Sequence, residues 1–126
     1  MSTTAGTVTA ASDPITDSVI LSVTRDPVAR STTVRLRGEL DAFTTHSLVP
    51  ALLGLACHDD RELVLDLSAV GFCDSAGACA FLRLDRRLAA GTRLLLQGVR
   101  RQPARVLRLL GLHRAVPCDF GSPARP

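Results

Sequence analysis

Leu63-Val64-Leu65-Asp66-Leu67-Ser68-Ala69-Val70-Gly71-Phe72-Cys73-Asp74-Ser75-Ala76-Gly77 is the stretch that decides the fold. Leu63 to Leu67 is apolar and β-prone enough for a strand covered on both faces, and the Asp74-Ser75 pair opens a segment with helical periodicity. The chain therefore passes from a buried strand into a helix. The hydroxyl of Ser75 is left at or beside the helix N-cap.

Upstream, Val19 to Thr24 reads as a strand, Asp26-Pro27 marks a turn, and Thr32 to Arg37 alternates Thr33, Arg35 and Arg37 with Val34 and Leu36. That alternation suits an antiparallel hairpin strand with one wet face. Leu48, Ala51, Leu52, Leu55 and Ala56 then recur at helical spacing, with Ser47 or Thr44 as cap; Pro50 is tolerated if the helix begins near Ser47. Downstream, a second helix is expected from Ser75 to about Ala90, burying Ala76, Cys79, Ala80, Leu84 and Leu88, with Arg83, Arg86 and Arg87 in water and Gly91 as a left-handed stop. Arg93 to Gln97 reads as a strand. A third helix starts at Gln102-Pro103 and stops at Gly111, and Ala115 to Cys118 forms a short last strand. Strands alternating with helices in this order predict an α/β domain: a mixed four- to five-stranded sheet with helices packed mainly on one face.

With 126 residues, the chain makes one domain with an ordinary core. Residues 1–14 are polar and unpatterned and read as a disordered leader, 15–120 as the domain and 121–126 as a flexible tail. Four Phe and no Trp or Tyr leave the core to aliphatic side chains, which excludes base stacking as a main activity. No apolar run reaches the roughly 18 residues of a bilayer span, and no signal-peptide pattern opens the chain, so a cytoplasmic protein is expected. Residues 1–82 carry five Arg and ten acids, whereas residues 83–126 carry ten Arg and two acids. Those arginines are spread over two helices and a strand edge rather than forming one run. They read as solvated faces, not as a nucleic-acid stripe, and the acidic first half points to a protein partner.

Cys57, Cys73, Cys79 and Cys118 show no Cys-x-x-Cys pair, and His46, His58 and His113 are scattered, so no metal is expected. Cys73, just before a helix N-terminus, is the one thiol whose setting can lower a pKa; its other reading is a small buried hydrophobe. There is no nucleophile, base and orienter set and no Gly-rich phosphate loop. Neither an enzyme nor a cofactor is expected, and nothing demands more than a monomer.

Leu63 to Gly77 resembles the signature of the STAS domain, the anti-sigma factor antagonist family, in which a strand leads through an Asp-Ser-x-Gly turn into the second helix. Gly38-Glu39-Leu40-Asp41 is similar to the family's motif after its second strand, and Arg105 to Arg114 to its last helix and exit. The resemblance covers roughly Ile15 to Phe120. It departs at Pro50, which lies further from Asp41 than the family's proline, and at Ala76-Gly77-Ala78-Cys79, which lacks the common Gly-Leu-Gly run.

From the residues alone, Ser75 is an N-cap worth about 1 kcal/mol. The resemblance implies instead a hydroxyl phosphorylated by a partner: an ATP-dependent anti-sigma factor serine kinase, bound by the unmodified domain so that a sigma factor is released. It also brings Asp41 and Asp74 near Ser75, Asp41 helping the kinase engage and Asp74 positioning the hydroxyl, and makes Ala76 and Gly77 part of the partner surface. Gly77 is expected to keep the first turn bare for close approach. The alternative within the same resemblance is a scaffold or ligand-sensing subunit of a stress-signalling or lipid-transport assembly, with Ser75 only a cap.

Overall fold

The computed structural model describes residues 8–10, 19–57 and 59–120. Its centre is a row of aliphatic side chains: Val23 pairs with Val34, Val34 with Leu65 and Leu65 with Leu96, each on a different strand and none more than 2% exposed. The neighbouring row, Ser22, Arg35, Asp66 and Gln97, points to the opposite side and is half-buried or exposed. This is the two-residue period of a sheet with one packed and one open face.

The strands are β1 (Val8–Ala10), β2 (Val19–Asp26), β3 (Ser31–Leu40), β4 (Glu62–Cys73), β5 (Arg93–Val99) and β6 (Cys118–Phe120), lying side by side in chain order. β1, β2 and β3 run antiparallel, and β3 to β6 run parallel. The mixed sheet expected from the sequence is thus present, with a sixth strand. Val8–Ala10, inside the stretch expected to be a disordered leader, pairs with Leu21 to Val23; the rest of that stretch and the tail at 121–126 lie outside the described residues. The last strand begins at Cys118 rather than Ala115 and takes in Phe120, because Val116 is drawn into the core and the turn Leu112–Arg114 occupies the lead-in.

Between the parallel strands lie α1 (Ala42–Thr45), α2 (Leu48–Leu55), α3 (Ser75–Arg87) and α4 (Arg101–Leu109). Leu48 and Leu52 of α2, Phe81 and Leu84 of α3 and Leu107 of α4 join the same buried cluster as the packed sheet face. Helices therefore cover one side. The expectation of a Leu63 to Leu67 strand covered on both faces is corrected accordingly: Val64 is buried by its strand neighbours, but Asp66 on the same open face is only half-buried and Ser68 is exposed.

The first helix begins where Pro50 requires, with Ser47 at the N-cap position of α2 though without a side-chain cap bond, and a separate turn, α1, capped by Asp41, precedes it. The end of the second helix is revised. α3 ends at Arg87, where Leu88 turns extended (φ −70°, ψ 155°), and Gly91 is not in the left-handed region, so it is not the stop. Gly111, at φ 72°, does hold the left-handed position after α4.

Candidate functional site

Two helices start side by side at the carboxyl end of the central strands. Leu40, the last residue of β3, pairs with Cys73, the last of β4. Both are fully buried, and the Asp74 amide donates to the Leu40 carbonyl at 3.0 Å, tying the two strand ends together. The next residue in each chain segment is an aspartate, and each caps a helix.

Asp41 Oδ1 accepts from the Phe43 and Thr44 amides at 3.0 Å, and the Asp41 amide donates back to Thr44 Oγ1 at 2.9 Å, a complete capping box. Asp74 Oδ1 accepts from the Gly77 amide at 2.8 Å. An Asp at an N-cap meets otherwise orphaned amides and the positive end of the helix dipole, worth about 1 kcal/mol each. Asp74, then, is the cap of α3, and Ser75 is its first helical residue. Ser75 therefore lies beside the N-cap, and the reading in which its own hydroxyl is the cap is replaced by this arrangement. Ser75 is exposed, and among the described residues no hydrogen bond engages its hydroxyl.

Gly77 has a different role from the one expected. It is buried, and a Cβ there would lie 2.5 Å from the Leu40 carbonyl oxygen, 2.9 Å from Leu40 Cβ and 3.0 Å from Cys73 Sγ. The glycine lets α3 seat on the end of β3, so it faces the protein interior and not a partner. This close approach also sets the helix rotation: Gly77, Ala78, Ala80, Phe81 and Leu84 are buried, whereas Ala76 is half-buried and Cys79 is exposed, contrary to the predicted face.

Cys73 is 0% exposed, and burial, with the neighbouring Asp74 carboxylate and then Cys79 adding to it, pushes its thiol up to about 12. The activated thiol that the sequence allowed is contradicted: near neutral pH this group is a protonated hydrophobe. Among the described residues no cluster of three or more His, Cys, Asp or Glu is placed to hold a metal ion.

Two residues at this end have no site role in the sequence reading. Gln102, in the first turn of α4, accepts from the Cys73 amide at 2.8 Å and donates to the Cys73 carbonyl at 3.0 Å, completing the hydrogen bonding of the β4 end as another strand would. Phe43, in the first turn of α1, is 81% exposed. A glutamine at the expected start of a helix, and a lone phenylalanine, carry no periodic signal that would have marked them as part of the site.

The arrangement presents an alcohol on a capped helix start, one residue after the half-buried Asp74, while the half-buried Asp41 caps the helix that starts from the neighbouring strand end. Residues 23–117 match the family model described as "Mlab, STAS domain". In structure the chain is similar to an anti-sigma factor antagonist from Mycobacterium paratuberculosis, with 26% identity, 86% of this chain and 89% of that chain covered, and a TM-score of 0.67. It is similar in fold to the anti-sigma factor antagonist SpoIIAA in its unphosphorylated form, at 18% identity over 79% of this chain and 88% of that one, TM-score 0.60. A STAS-domain antisigma-factor antagonist from Rhodobacter sphaeroides shares 16% identity over 62% and 84% of the two chains, TM-score 0.50. No curated protein matches. With the family model spanning most of the chain, from β2 to the lead-in of β6, and both capped junctions in place, the chain belongs to the STAS domain family.

Proposed function

We propose that the protein is an anti-sigma factor antagonist, switched by phosphorylation of Ser75. The unmodified domain binds an anti-sigma factor with serine kinase activity and so frees a sigma factor. The kinase ends the association by transferring the γ-phosphoryl group of ATP: the bond from Ser75 Oγ to phosphorus forms, the bridge between the β- and γ-phosphates breaks, ADP leaves, and the hydroxyl proton passes to a base of the kinase. The single observation that carries this reading is the exposed Ser75 hydroxyl, relieved of capping duty by Asp74.

Physical placement explains why such a switch spares the fold. A phosphoserine brings nearly two negative charges to the N-terminal end of a 13-residue helix, where the dipole is favourable. The cap hydrogen bond belongs to Asp74 and is not lost. The exterior changes far more: a dianion now stands beside the Asp74 carboxylate, and a partner fitted to a neutral hydroxyl must desolvate it. Like-charge juxtaposition in an interface costs several kcal/mol, enough to end binding. Incubation with the cognate anti-sigma kinase and ATP, followed by mass spectrometry of the Ser75 peptide, tests the assignment. One phosphate on Ser75 is expected, and stoichiometric phosphate on Ser75→Ala would overturn it.

A further inference from the structure

We propose that the open face of the sheet carries a second binding site, for a small organic phosphate monoester, in which Arg35 and Arg37 grip the phosphate and Ile20 and Ala69 contact the organic group. The site goes beyond the Ser75 switch and does not depend on it, since α3, which carries Ser75, packs on the opposite face.

The cavity arises from a fault in strand register. Arg35 pairs with Asp66 but Arg37 with Ala69, so β4 carries one residue more than β3 across this interval, a β-bulge. Leu67 and Val70 are both fully buried in the core, and Ser68 and Ala69 fall between them. The bulge thus sets an alanine, where a longer side chain would fill the space, beside Arg37 on the face that the helices leave open. Ile20, paired with Arg37 from the other side, is 37% exposed. Ile20, Ser22, Arg35, Arg37 and Ala69 together line a cavity of about 480 Å³. Small-molecule sites occupy roughly 300–1,000 Å³, so the space suits an organic ligand better than a bare anion.

Charge names the occupant. Arg35 and Arg37 are both exposed and stand two residues apart on β3, about 7 Å between Cα atoms. Among the described residues no carboxylate lines the cavity. Asp66, the acid in register with Arg35, turns its Oδ1 to the Ser68 amide at 3.0 Å. Two like charges side by side repel, and a dianion between them relieves that repulsion. A guanidinium presents a planar fork of donors that fits phosphate and carboxylate oxygens. Two forks and the Ser22 hydroxyl match the three terminal oxygens of a phosphate monoester, whereas a carboxylate has two. The apolar flanks at Ile20 and Ala69 then favour an ester with a hydrophobic group over free phosphate.

Calorimetric titration of phenyl phosphate into the unmodified full chain, in buffer free of phosphate and sulfate, tests the site. Saturable binding of one ligand per chain is expected, with inorganic phosphate and benzoate both weaker. Arg35→Gln and Arg37→Gln are each expected to weaken it by about 10-fold or more, the loss of a charge-assisted hydrogen bond. Thermal midpoints of these variants, substituted at exposed positions, should stay at the wild-type value. Ala69→Leu should also weaken binding, because it fills the cavity while keeping both charges. Arg105→Gln, which removes the same charge from an exposed position on α4, should change nothing. Equal affinities for phenyl phosphate and inorganic phosphate that are indifferent to Ala69→Leu would show attraction to surface charge alone and overturn the proposal. A loss in Arg105→Gln as large as in Arg37→Gln, or no saturable heat at all, would overturn it too, and in each case the phosphorylation of Ser75 is left standing.

Discussion

Asp74 alone makes the side-chain cap of α3, which leaves the Ser75 hydroxyl out of it. Because Asp74 Oδ1 holds the Gly77 amide, Asp74→Ala is expected to cost about 1 kcal/mol in urea unfolding, whereas Ser75→Ala should stay within about 0.5 kcal/mol of wild type. Gly77→Ala sets two effects against each other. Alanine is favoured over glycine inside a helix by about 1 kcal/mol, but its Cβ would lie 2.5 Å from the Leu40 carbonyl oxygen, and backbone cannot yield cheaply. Strain of about 1–3 kcal/mol is expected to win, visible as a lowered unfolding midpoint. For Cys73, the folded thiol titrates near 12 against an ordinary value of 9.0. A raised acid pKa favours the protonated native state, so this contribution is present below pH 9 and is lost as pH climbs from 9 towards 12. Alkylation at pH 8 should accordingly modify exposed Cys79 and reach Cys73 only on unfolding.

At the scale of elements, the junction depends on a contact between segments 29 residues apart. Gln102→Ala would leave the Cys73 amide and carbonyl without these partners at a buried strand end, and a loss of about 1–3 kcal/mol is expected in chemical denaturation, with faster amide exchange at Cys73. The strands were legible in the sequence wherever alternation was clean. Val34 and Leu36 against Arg35 and Arg37 gave both the strand and its wet side. β4 was read as ending at Leu67, but it continues to Cys73; register shifts where it pairs with β3 break the two-residue pattern around Ser68 and Ala69 and again near Gly71. α3 starts at Ser75 as expected and buries Ala80 and Leu84 as expected, but Ala76 and Cys79 are turned outward, because Gly77 seats on Leu40, a tertiary contact with no local trace. Asp41, Asp74 and Ser75 could be found from turn chemistry and resemblance; Gln102 acquires meaning only when the strand ends are brought together.

Viewed as a whole molecule, the chain has its helices on one face of the sheet and a polar face left open, with the candidate site at the carboxyl end of the central parallel strands. The far end is fixed by another polar network: the Thr32 hydroxyl and the Cys57 amide both donate to Asp60 Oδ2, at 2.6 and 2.8 Å. Among the described residues, Arg83, Arg86 and Arg87 on α3, Arg93 on β5 and Arg101, Arg105 and Arg108 on α4 are exposed and spread over separate elements. A scaffold fixed at both ends lets a phosphate alter the surface at one of them without refolding. Calorimetric titration of the cognate anti-sigma factor into the unmodified and the Ser75-phosphorylated protein measures that most directly. Binding weaker by about 100-fold or more after phosphorylation, with the fold retained, is the predicted result; equal affinities of the two forms would contradict the account.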